Sequence, residues 1–202
     1  MPDPPGGRLT QAAESYASLR AGRGPNALLA QAVDLLDGRR GRALDVGAGP
    51  LNDAVHLLRA GFAVDAIDTD PHTVELAATL DEPGLRVARA DVRTYAVAPG
   101  AYALVVAIHV LPFLSRTDLR RRAVPALVAG LARGGLLCCT FLGEEDAWAG
   151  RRPRMSFLAR AEVEALLAPL QEVVFSEQRY GGVDARDEPK RWHVHRCIFR
   201  RP

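Results

Sequence analysis

The spacing of apolar residues changes repeatedly along the chain between a strand-like and a helix-like pattern. Short runs of apolar and β-branched residues predict five strands, at residues 42–46, 62–68, 85–89, 102–108 and 136–142. Apolar residues three and four positions apart predict helices at residues 9–20, 25–37, 51–60, 71–80, 116–132 and 157–168. Because strands alternate with helices through most of the chain, we expect an α/β fold with a parallel sheet between two helical layers.

Capping residues and one proline sharpen the limits of these helices. Asn26 stands where it can cap the second helix, and Asp70 followed by a proline is a strong start signal. Ser115 and Asp118 resemble a capping box for the helix after the fourth strand. Pro125 lies inside that helix, so we expect the helix to kink or split there.

The C-terminal part of the chain breaks the alternation. Strand-like segments at residues 172–180 and 191–200 are joined by a polar turn, which predicts an antiparallel hairpin at one edge of the sheet. The length of 202 residues fits a single domain, residues 1–202. Its expected parts are a disordered start, an N-terminal helical segment, a cofactor-binding core and a C-terminal helix with the hairpin, at residues 1–8, 9–38, 42–143 and 144–202.

The composition is that of an ordinary globular domain, with 48% apolar and 25% charged residues. The formal net charge is only +2, so we expect no nucleic-acid partner. The longest apolar run, Tyr102 to Leu114, is interrupted by His109 and Pro112 and is too short to span a membrane. The chain start lacks the apolar segment of a signal peptide, and the three cysteines form no CxxC pair. We therefore expect a cytoplasmic location, no membrane partner and reduced cysteines, and the oligomeric state stays open.

A glycine turn follows the first predicted strand in the segment LDVGAGPLNDA, residues 44–54. The glycines of Gly47-Ala48-Gly49 allow backbone amides to approach a ligand at the start of a helix. The next strand ends in AIDTDPHTVELA, where Asp68, with Thr69 beside it, is placed to accept the two hydroxyls of a ribose. Together the two segments predict a cofactor that contains a nucleoside.

Three acids at successive strand ends distinguish between two such cofactors. A dinucleotide site needs a third glycine where Asn52 stands. Asp45 would repel a pyrophosphate but suits the ammonium group of a methionine moiety. Asp91 is placed to accept from an adenine amino group while Val92 packs on the ring. With Asp68 between them, these acids favour an adenosyl ligand with a cationic tail, unless each of them merely caps a helix or solvates a loop.

The combination of motifs resembles the class I S-adenosylmethionine-dependent methyltransferases. The matching segments are LDVGAGPLNDA, VDAIDTDPHTVELA, ARADVRTY, YALVVAIHVLPFL and LARGGLLCCTFLG, which cover about residues 42–143. The resemblance implies a Rossmann-like, doubly wound and mostly parallel seven-stranded sheet of order 3-2-1-4-5-7-6 with the last strand antiparallel. The C-terminal segments are similar to those of small tellurite-resistance-type (TehB-like) members.

The resemblance also implies a cofactor, S-adenosyl-L-methionine, and its product S-adenosyl-L-homocysteine. Asp45 and Gly47-Ala48-Gly49 would hold the methionine end, Asp68 the ribose, and Asp91 with Val92 the adenine. The sequence departs from the family at Leu51, where many members have a glycine, so the loop is expected to be less open.

The acceptor is expected to be a small molecule, whether a thiol, a chalcogen oxyanion or another metabolite, methylated by in-line transfer. His109, at the end of the fourth strand, is the candidate base or acceptor-orienting group beside the methyl, or else a structural histidine near the cofactor. Trp148, Arg154, Tyr180 and His193 are candidate substrate contacts, and each also fits ordinary packing or surface exposure. His193 and His195 share a strand face, but no third ligand is evident, so no metal is expected.

Two other functions compete with this hypothesis. The first is a non-catalytic module that binds an adenosyl cofactor. The second is an NAD(P)-dependent oxidoreductase, which would need a third glycine near residue 52 and a proton-donating pair that the sequence lacks.

Overall fold

Within the described residues, seven strands and six α-helices follow one another, and strands alternate with helices up to the C-terminal hairpin. The computed structural model describes residues 26–80, 82–184 and 187–202, so the predictions for 1–8 and 9–20 lie outside the described residues. The strands are β1 Arg42–Val46, β2 Ala63–Asp68, β3 Leu85–Arg89, β4 Tyr102–Ala107, β5 Leu131–Leu142, β6 Gln171–Val183 and β7 Pro189–Arg200. The helices are α1 Ala27–Asp34, α2 Asn52–Arg59, α3 Pro71–Ala77, α4 Arg116–Asp118, α5 Val124–Gly130 and α6 Arg160–Leu167.

The strands form one sheet of order β3-β2-β1-β4-β5-β7-β6. The pairs β3–β2, β2–β1, β1–β4 and β4–β5 are parallel, whereas β7 is antiparallel to both β5 and β6. This topology confirms the predicted sheet. Because β1, β2 and β4 are parallel, the loops after their carboxyl ends lie along one edge of the sheet.

The predicted helix starts are confirmed by their hydrogen bonds. Asn26 accepts from the Leu28 backbone N–H over 3.0 Å. Asp70 accepts from the backbone of His72 over 3.0 Å, and Ser115 Oγ accepts from the N–H of Asp118 over 3.1 Å. These caps satisfy backbone donors that have no partner within the helix.

Pro125 splits the helix after β4, as its position predicts. A π-helical turn, Leu119–Ala123, separates α4 from α5 immediately before the proline. A proline has no N–H to donate, and its ring crowds the carbonyl one turn earlier. The wider turn accommodates both effects and lets the helix continue to Gly130.

Two elements start three or more residues away from the predicted position, and the other starts agree to within two residues. β5 begins at Leu131 instead of residue 136, because a bulge at the glycine pair lets Leu131 pair with Tyr102 before the regular register resumes. α6 begins at Arg160 instead of residue 157. Phe157 forms a parallel bridge with Leu142, and the adjacent Leu158 N–H donates to Leu142 O over 2.8 Å, so this segment is held extended against β5.

The core lies on both faces of the sheet. Helices α1 and α2 pack on one face, and the segment from α4 to α6 packs on the other. The adjacent Cys138 and Cys139 belong to opposite faces, and all three cysteines are buried and free. Among the described residues, no helix combines the length and the apolar character needed to cross a membrane.

Candidate active site

The turn between β1 and α2 brings backbone close to the cleft at the edge of the sheet. Gly47 and Gly49 have φ angles of +71° and +45°, a region that favours glycine. The amides of Gly47 and Ala48 donate to Ile67 O over 2.8 and 3.2 Å, which ties the turn to β2. A Cβ on Gly47 would lie 2.9 Å from Val110 Cγ2, so the turn leaves no room for a side chain there.

Leu51 occupies the N-cap of α2 in a left-handed conformation, with φ of +61°. Such a conformation costs an L-residue about 1–2 kcal/mol. The side chain is completely buried, and the Leu51 N–H donates to Ala48 O over 2.9 Å. The place where many family members have a glycine therefore keeps a glycine-like backbone, and burial of the leucine side chain offsets its strain.

Asp68 lies half-buried at the end of β2 and connects two loops. One carboxylate oxygen accepts from the Gly49 N–H over 2.8 Å, and the other accepts from the Asp70 N–H over 2.9 Å. Each oxygen has a second lone pair, so the carboxylate can also accept from the two hydroxyls of a ribose.

Asp45 is a buried acid with an unsatisfied oxygen. The residue is 3% exposed, and within the part of the chain that the structure describes Oδ2 has no hydrogen-bond partner. Burial raises its pKa well above the ordinary value, and the charges of Asp53 and Asp68 add to this rise. A hydrogen bond from the Ala54 backbone opposes this rise, but a buried carboxylate oxygen that stays without a partner is costly. A cationic group such as the ammonium of S-adenosylmethionine would satisfy it, so this residue fits the implied cofactor.

Asp53, on the first turn of α2, is a site residue that the sequence did not single out. Its Oδ1 accepts from the Asn26 N–H over 3.1 Å, and burial raises its pKa. The charge of Asp53 adds to the rise in the pKa of Asp45, so acidic side chains cluster around the glycine turn. Nothing in the spacing of LDVGAGPLNDA indicates this role, which depends on how α1 packs against α2.

Asp91 already has a strong partner. Its carboxylate accepts from the backbone N–H and the Nε of Arg93 over 2.9 and 3.0 Å, and this pairing lowers the pKa of Asp91. Val92 is buried beside it. Arg93 was not apparent from the sequence as part of the site. An adenine amino group would therefore share the Asp91 carboxylate with a guanidinium.

A cleft of about 540 Å³ collects most of the predicted cofactor residues. Gly47, Asp68, Thr69, Asp91 and Val92 all line it. Arg154, predicted to contact substrate, lines the same cleft. The predicted cofactor-binding residues that do not line this cleft are Asp45, Ala48, Gly49 and His109.

A second cavity, of about 410 Å³, contains His109 and two of the predicted substrate residues, Trp148 and Tyr180. The rest of its lining is Pro112, Phe113, Leu142, Gly182, Val183, Asp184 and Trp192. Phe113 lines both cavities, so they adjoin at the loop that follows β4.

His109 turns the chain at the end of β4. Its φ is +58°, and its backbone N–H donates to Thr140 Oγ1 over 2.8 Å. Thr140 thus anchors the backbone of this exposed residue, and the turn holds His109 at the rim of the second cavity.

Glu177, His193 and His195 form a cluster across the β6–β7 hairpin, with donor atoms within 4.8 Å of one another. The sequence did not indicate Glu177 as a possible third ligand beside the two histidines, because only the pairing of β6 with β7 brings it opposite His195. His193 Nδ1 accepts from the Glu145 N–H over 3.1 Å, so its proton lies on Nε2, which is 2.8 Å from Glu177 Oε1. An ion at Nε2 would have to displace that proton, so these contacts favour a structural role for His193. His193 lines neither cavity.

Comparison with known proteins agrees with this geometry. The family model of a methyltransferase domain matches residues 43–135. No protein among those of curated function matches the sequence.

Solved structures share the fold. TehB from Haemophilus influenzae is 16% identical with a TM-score of 0.69, over 84% of this chain and 62% of the TehB chain. The N-methyltransferase NodS from Bradyrhizobium japonicum, in complex with S-adenosyl-L-homocysteine, is 22% identical with a TM-score of 0.66, over 95% of this chain and 97% of NodS. A TehB-like methyltransferase from Corynebacterium glutamicum is 19% identical with a TM-score of 0.63, over 96% and 97%.

At these low identities the solved structures show the fold alone. The chain spans only 62% of the H. influenzae protein. The family match covers the glycine turn and the three acidic strand ends. Residues 43–135 match the methyltransferase domain model, and the chain has the fold of the TehB-like and NodS methyltransferases.

Proposed function

We propose that the protein methylates a small molecule bound in the second cavity, using the cofactor bound in the adjoining cleft. One observation carries this proposal: Phe113 lines both cavities, so an acceptor in the second cavity would lie next to a cofactor in the cleft. His109, in the loop after β4, lines the second cavity, which supports a role for it on the acceptor side. We propose further that the protein acts in the cytoplasm and has no nucleic-acid partner.

In this proposal the cofactor contacts are divided along the sheet edge. Asp45 and the Gly47–Gly49 turn hold the methionine end, Asp68 with Thr69 holds the ribose, and Asp91 with Val92 holds the adenine. The cofactor supplies an electrophilic methyl group on a sulfonium. The acidic groups of Asp45, Asp53 and Asp68 near the glycine turn would favour this cationic donor over its neutral sulfide product, which would help the product to leave.

The protein's part in the reaction is to align the acceptor and exclude water. Fixing two reactants in an in-line arrangement contributes up to about 7–11 kcal/mol. His109 is the group at the cavity rim that can orient the acceptor or receive its proton. A thiol acceptor ionises easily and needs little help from a base, whereas a hydroxyl or an amine needs more.

Two measurements test the proposal. Calorimetric titration with S-adenosyl-L-homocysteine, with NADH as the comparison, is expected to show micromolar binding of the former and none of the latter. Mass spectrometry of a panel of thiols, oxyanions and small metabolites is expected to find one compound that gains a methyl group. Binding without turnover on any compound would favour the non-catalytic module, and binding of NADH alone would favour the oxidoreductase.

A further inference from the structure

The second cavity has a wall of aromatic rings. Phe113, Trp148, Tyr180 and Trp192 line it, with Phe113 6.5 Å from Trp148 between ring centroids. Tyr180 and Trp192 stack with planes 20° apart and centroids 6.4 Å apart. Phe113 and Tyr180 are 55% and 45% exposed, so large apolar surfaces are left open toward the cavity and solvent. Exposed aromatic surface of this kind is typical of ligand sites.

The described lining of the cavity holds one acid and neither an arginine nor a lysine. This acid, Asp184, is buried, accepts from the Glu188 N–H over 3.2 Å and interacts with the charge of Lys190. Sites for oxyanions are built from guanidinium, ammonium or clustered backbone N–H donors. An oxyanion in this cavity would meet a carboxylate instead.

The nearest ammonium group is enclosed behind the aromatic wall. Lys190, the only lysine of the chain, has a side chain that is 2% exposed. Its Nζ lies 3.0 Å from Asp146 Oδ1 and 3.3 Å from the ring centroids of both Trp148 and Trp192. Burial lowers the pKa of Lys190, and the Asp146 carboxylate opposes that shift. The charge of Lys190 is thus compensated by Asp146 and by the two ring faces.

Two neighbouring arginines are also engaged elsewhere. The Arg152 guanidinium lies 4.3 Å from the Trp148 ring centroid. Arg179 donates to Glu145 Oε1 over 2.8 Å and lies 2.7 Å from Glu177 Oε1. Neither residue lines the second cavity. A cationic acceptor would be repelled by Lys190 and Arg152, which lie over the Trp148 ring and leave it no face to offer.

We propose that the acceptor is a neutral aromatic small molecule with a hydroxyl or thiol nucleophile, stacked against Tyr180 and Phe113, and not a chalcogen oxyanion. This inference rests on the proposed function and narrows its substrate class. The cavity volume of about 410 Å³ lies at the small end of the range for ligand pockets and suits one or two fused rings. The acceptor oxygen or sulfur bonds to the methyl carbon as the carbon–sulfonium bond breaks. That bond's electron pair stays on sulfur, and the acceptor proton leaves to His109 or solvent.

The test uses the full chain saturated with S-adenosyl-L-homocysteine, so a failure to bind that compound is seen first and counts against the proposed function alone. β-Naphthol and catechol are the neutral probes, and hydroxynaphthoate and selenite are the anionic ones. We expect calorimetry to show binding of a neutral aromatic probe, with hydroxynaphthoate weaker by about tenfold or more. Selenite that binds more tightly than both neutral probes, or neutral probes that do not bind to the saturated protein, would overturn the inference and leave the methyltransferase function standing.

Two variants assign the effect to the cavity. Tyr180→Ala should weaken the bound neutral probe about tenfold, through loss of stacking, without changing S-adenosyl-L-homocysteine affinity. Val74→Ala, at an exposed apolar position of α3, is the matched control and should change neither. Asp184→Asn should bring the affinity for hydroxynaphthoate closer to that for β-naphthol. Equal effects of Tyr180→Ala and Val74→Ala on the probe would contradict the proposed stacking.

Discussion

The backbone N–H of Gly49 donates to Asp68 Oδ2 over 2.8 Å and so joins the glycine turn after β1 to the carboxylate at the end of β2. Asp70 N–H binds the other oxygen over 2.9 Å. The group proposed to bind the ribose is therefore held in place before any ligand arrives. Such preorganisation lowers the entropy lost on binding.

Replacing Asp68 with alanine should weaken S-adenosyl-L-homocysteine binding by about 1–3 kcal/mol, a factor of about 5–150 in Kd, because charged hydrogen bonds to the ribose are lost. Calorimetric titration measures the change. Asp68→Asn keeps an oxygen acceptor for the turn but loses the charge and should fall between the wild type and Asp68→Ala. Asp34→Ala, at an exposed acid at the end of α1, is the control. Unchanged affinity in Asp68→Ala would contradict the assigned role.

Replacing Asp45 with asparagine should have opposite effects on stability and binding. Because burial raises the pKa of Asp45, the folded protein without cofactor holds a proton at pH values where the unfolded carboxyl, with a pKa of about 3.8, has lost it. This group therefore lowers stability as the pH rises from about 4 toward the raised pKa. Asp45→Asn removes that loss, so the variant without cofactor should melt no lower than the wild type at pH 7. It should still bind S-adenosyl-L-homocysteine more weakly, since the ammonium loses its anionic partner.

Cofactor binding to the wild type should also release a proton. The bound ammonium group favours the charged form of Asp45 and lowers its pKa again. At a pH between the ordinary and the raised pKa of Asp45, titrations with S-adenosyl-L-homocysteine in two buffers should give different enthalpies, because the two buffers take up the proton with different heats. Asp45→Asn should show a smaller difference. Enthalpies that are the same in both buffers for the wild type would argue against this role.

The positions of Asp45 and Asp68 show which parts of the site could be predicted from the sequence. Each ends a short apolar run bounded by turn residues, and the limits of β1 at 42–46 were predicted to the residue. Because parallel strands end along one edge, acids at successive strand ends must lie near one another. The order of the strands came from the family resemblance, not from periodicity.

Other parts of the site depend on packing that no local pattern records. Asp53 acts through contacts between α1 and α2, and Glu177 reaches His193 only through the hairpin register. The start of β5 was missed because Gly134-Gly135 indicates an end to a helix as well as a bulge. The position of His109 in the second cavity, outside the lining of the cofactor cleft, follows from its left-handed turn, which is not visible in an apolar run.

Replacing His109 should lower turnover and leave cofactor affinity nearly unchanged, because the residue lines the acceptor cavity and not the cofactor cleft. Asparagine tolerates a φ of +58° better than alanine does, so His109→Asn separates the imidazole from the backbone turn. His109→Ala and His109→Asn both keep the backbone N–H that donates to Thr140 Oγ1. Methyl transfer to the acceptor found in the screen and calorimetry with S-adenosyl-L-homocysteine give the two values. A parallel loss of turnover and affinity in His109→Asn would mean that the residue is structural.

Two glycines in similar conformations separate backbone strain from close packing. Gly47 and Gly38 have φ angles of +71° and +77°, so alanine should cost each about 1–2 kcal/mol of unfolding free energy. Only at Gly47 would the new Cβ lie 2.9 Å from Val110, since nothing lies within 4 Å at Gly38. Gly47→Ala should therefore lose more stability and also cofactor affinity, whereas Gly38→Ala should keep its affinity. Urea denaturation and calorimetry measure the two quantities, and equal losses in both variants would show that close packing at the turn is unimportant.

Removing the ammonium group of Lys190 should lower the free energy of unfolding substantially, although the residue lies next to the turn of the β6–β7 hairpin. Asp146 is completely buried, and its two oxygens accept from the Trp148 and His193 backbone N–H groups over 3.0 and 3.2 Å. In Lys190→Met this carboxylate would keep only those donors, and breaking a buried ion pair from one side typically costs about 3–5 kcal/mol. The double variant Lys190→Met/Asp146→Asn has no unpaired charge and should lose less stability than Lys190→Met alone. Urea denaturation followed by tryptophan fluorescence reports both stability and the environment of Trp148 and Trp192. The single variant Asp146→Asn completes the comparison. If the double variant loses as much stability as Lys190→Met and Asp146→Asn together, Lys190 and Asp146 do not stabilise each other. The aromatic wall of the second cavity would then be held by ring packing alone.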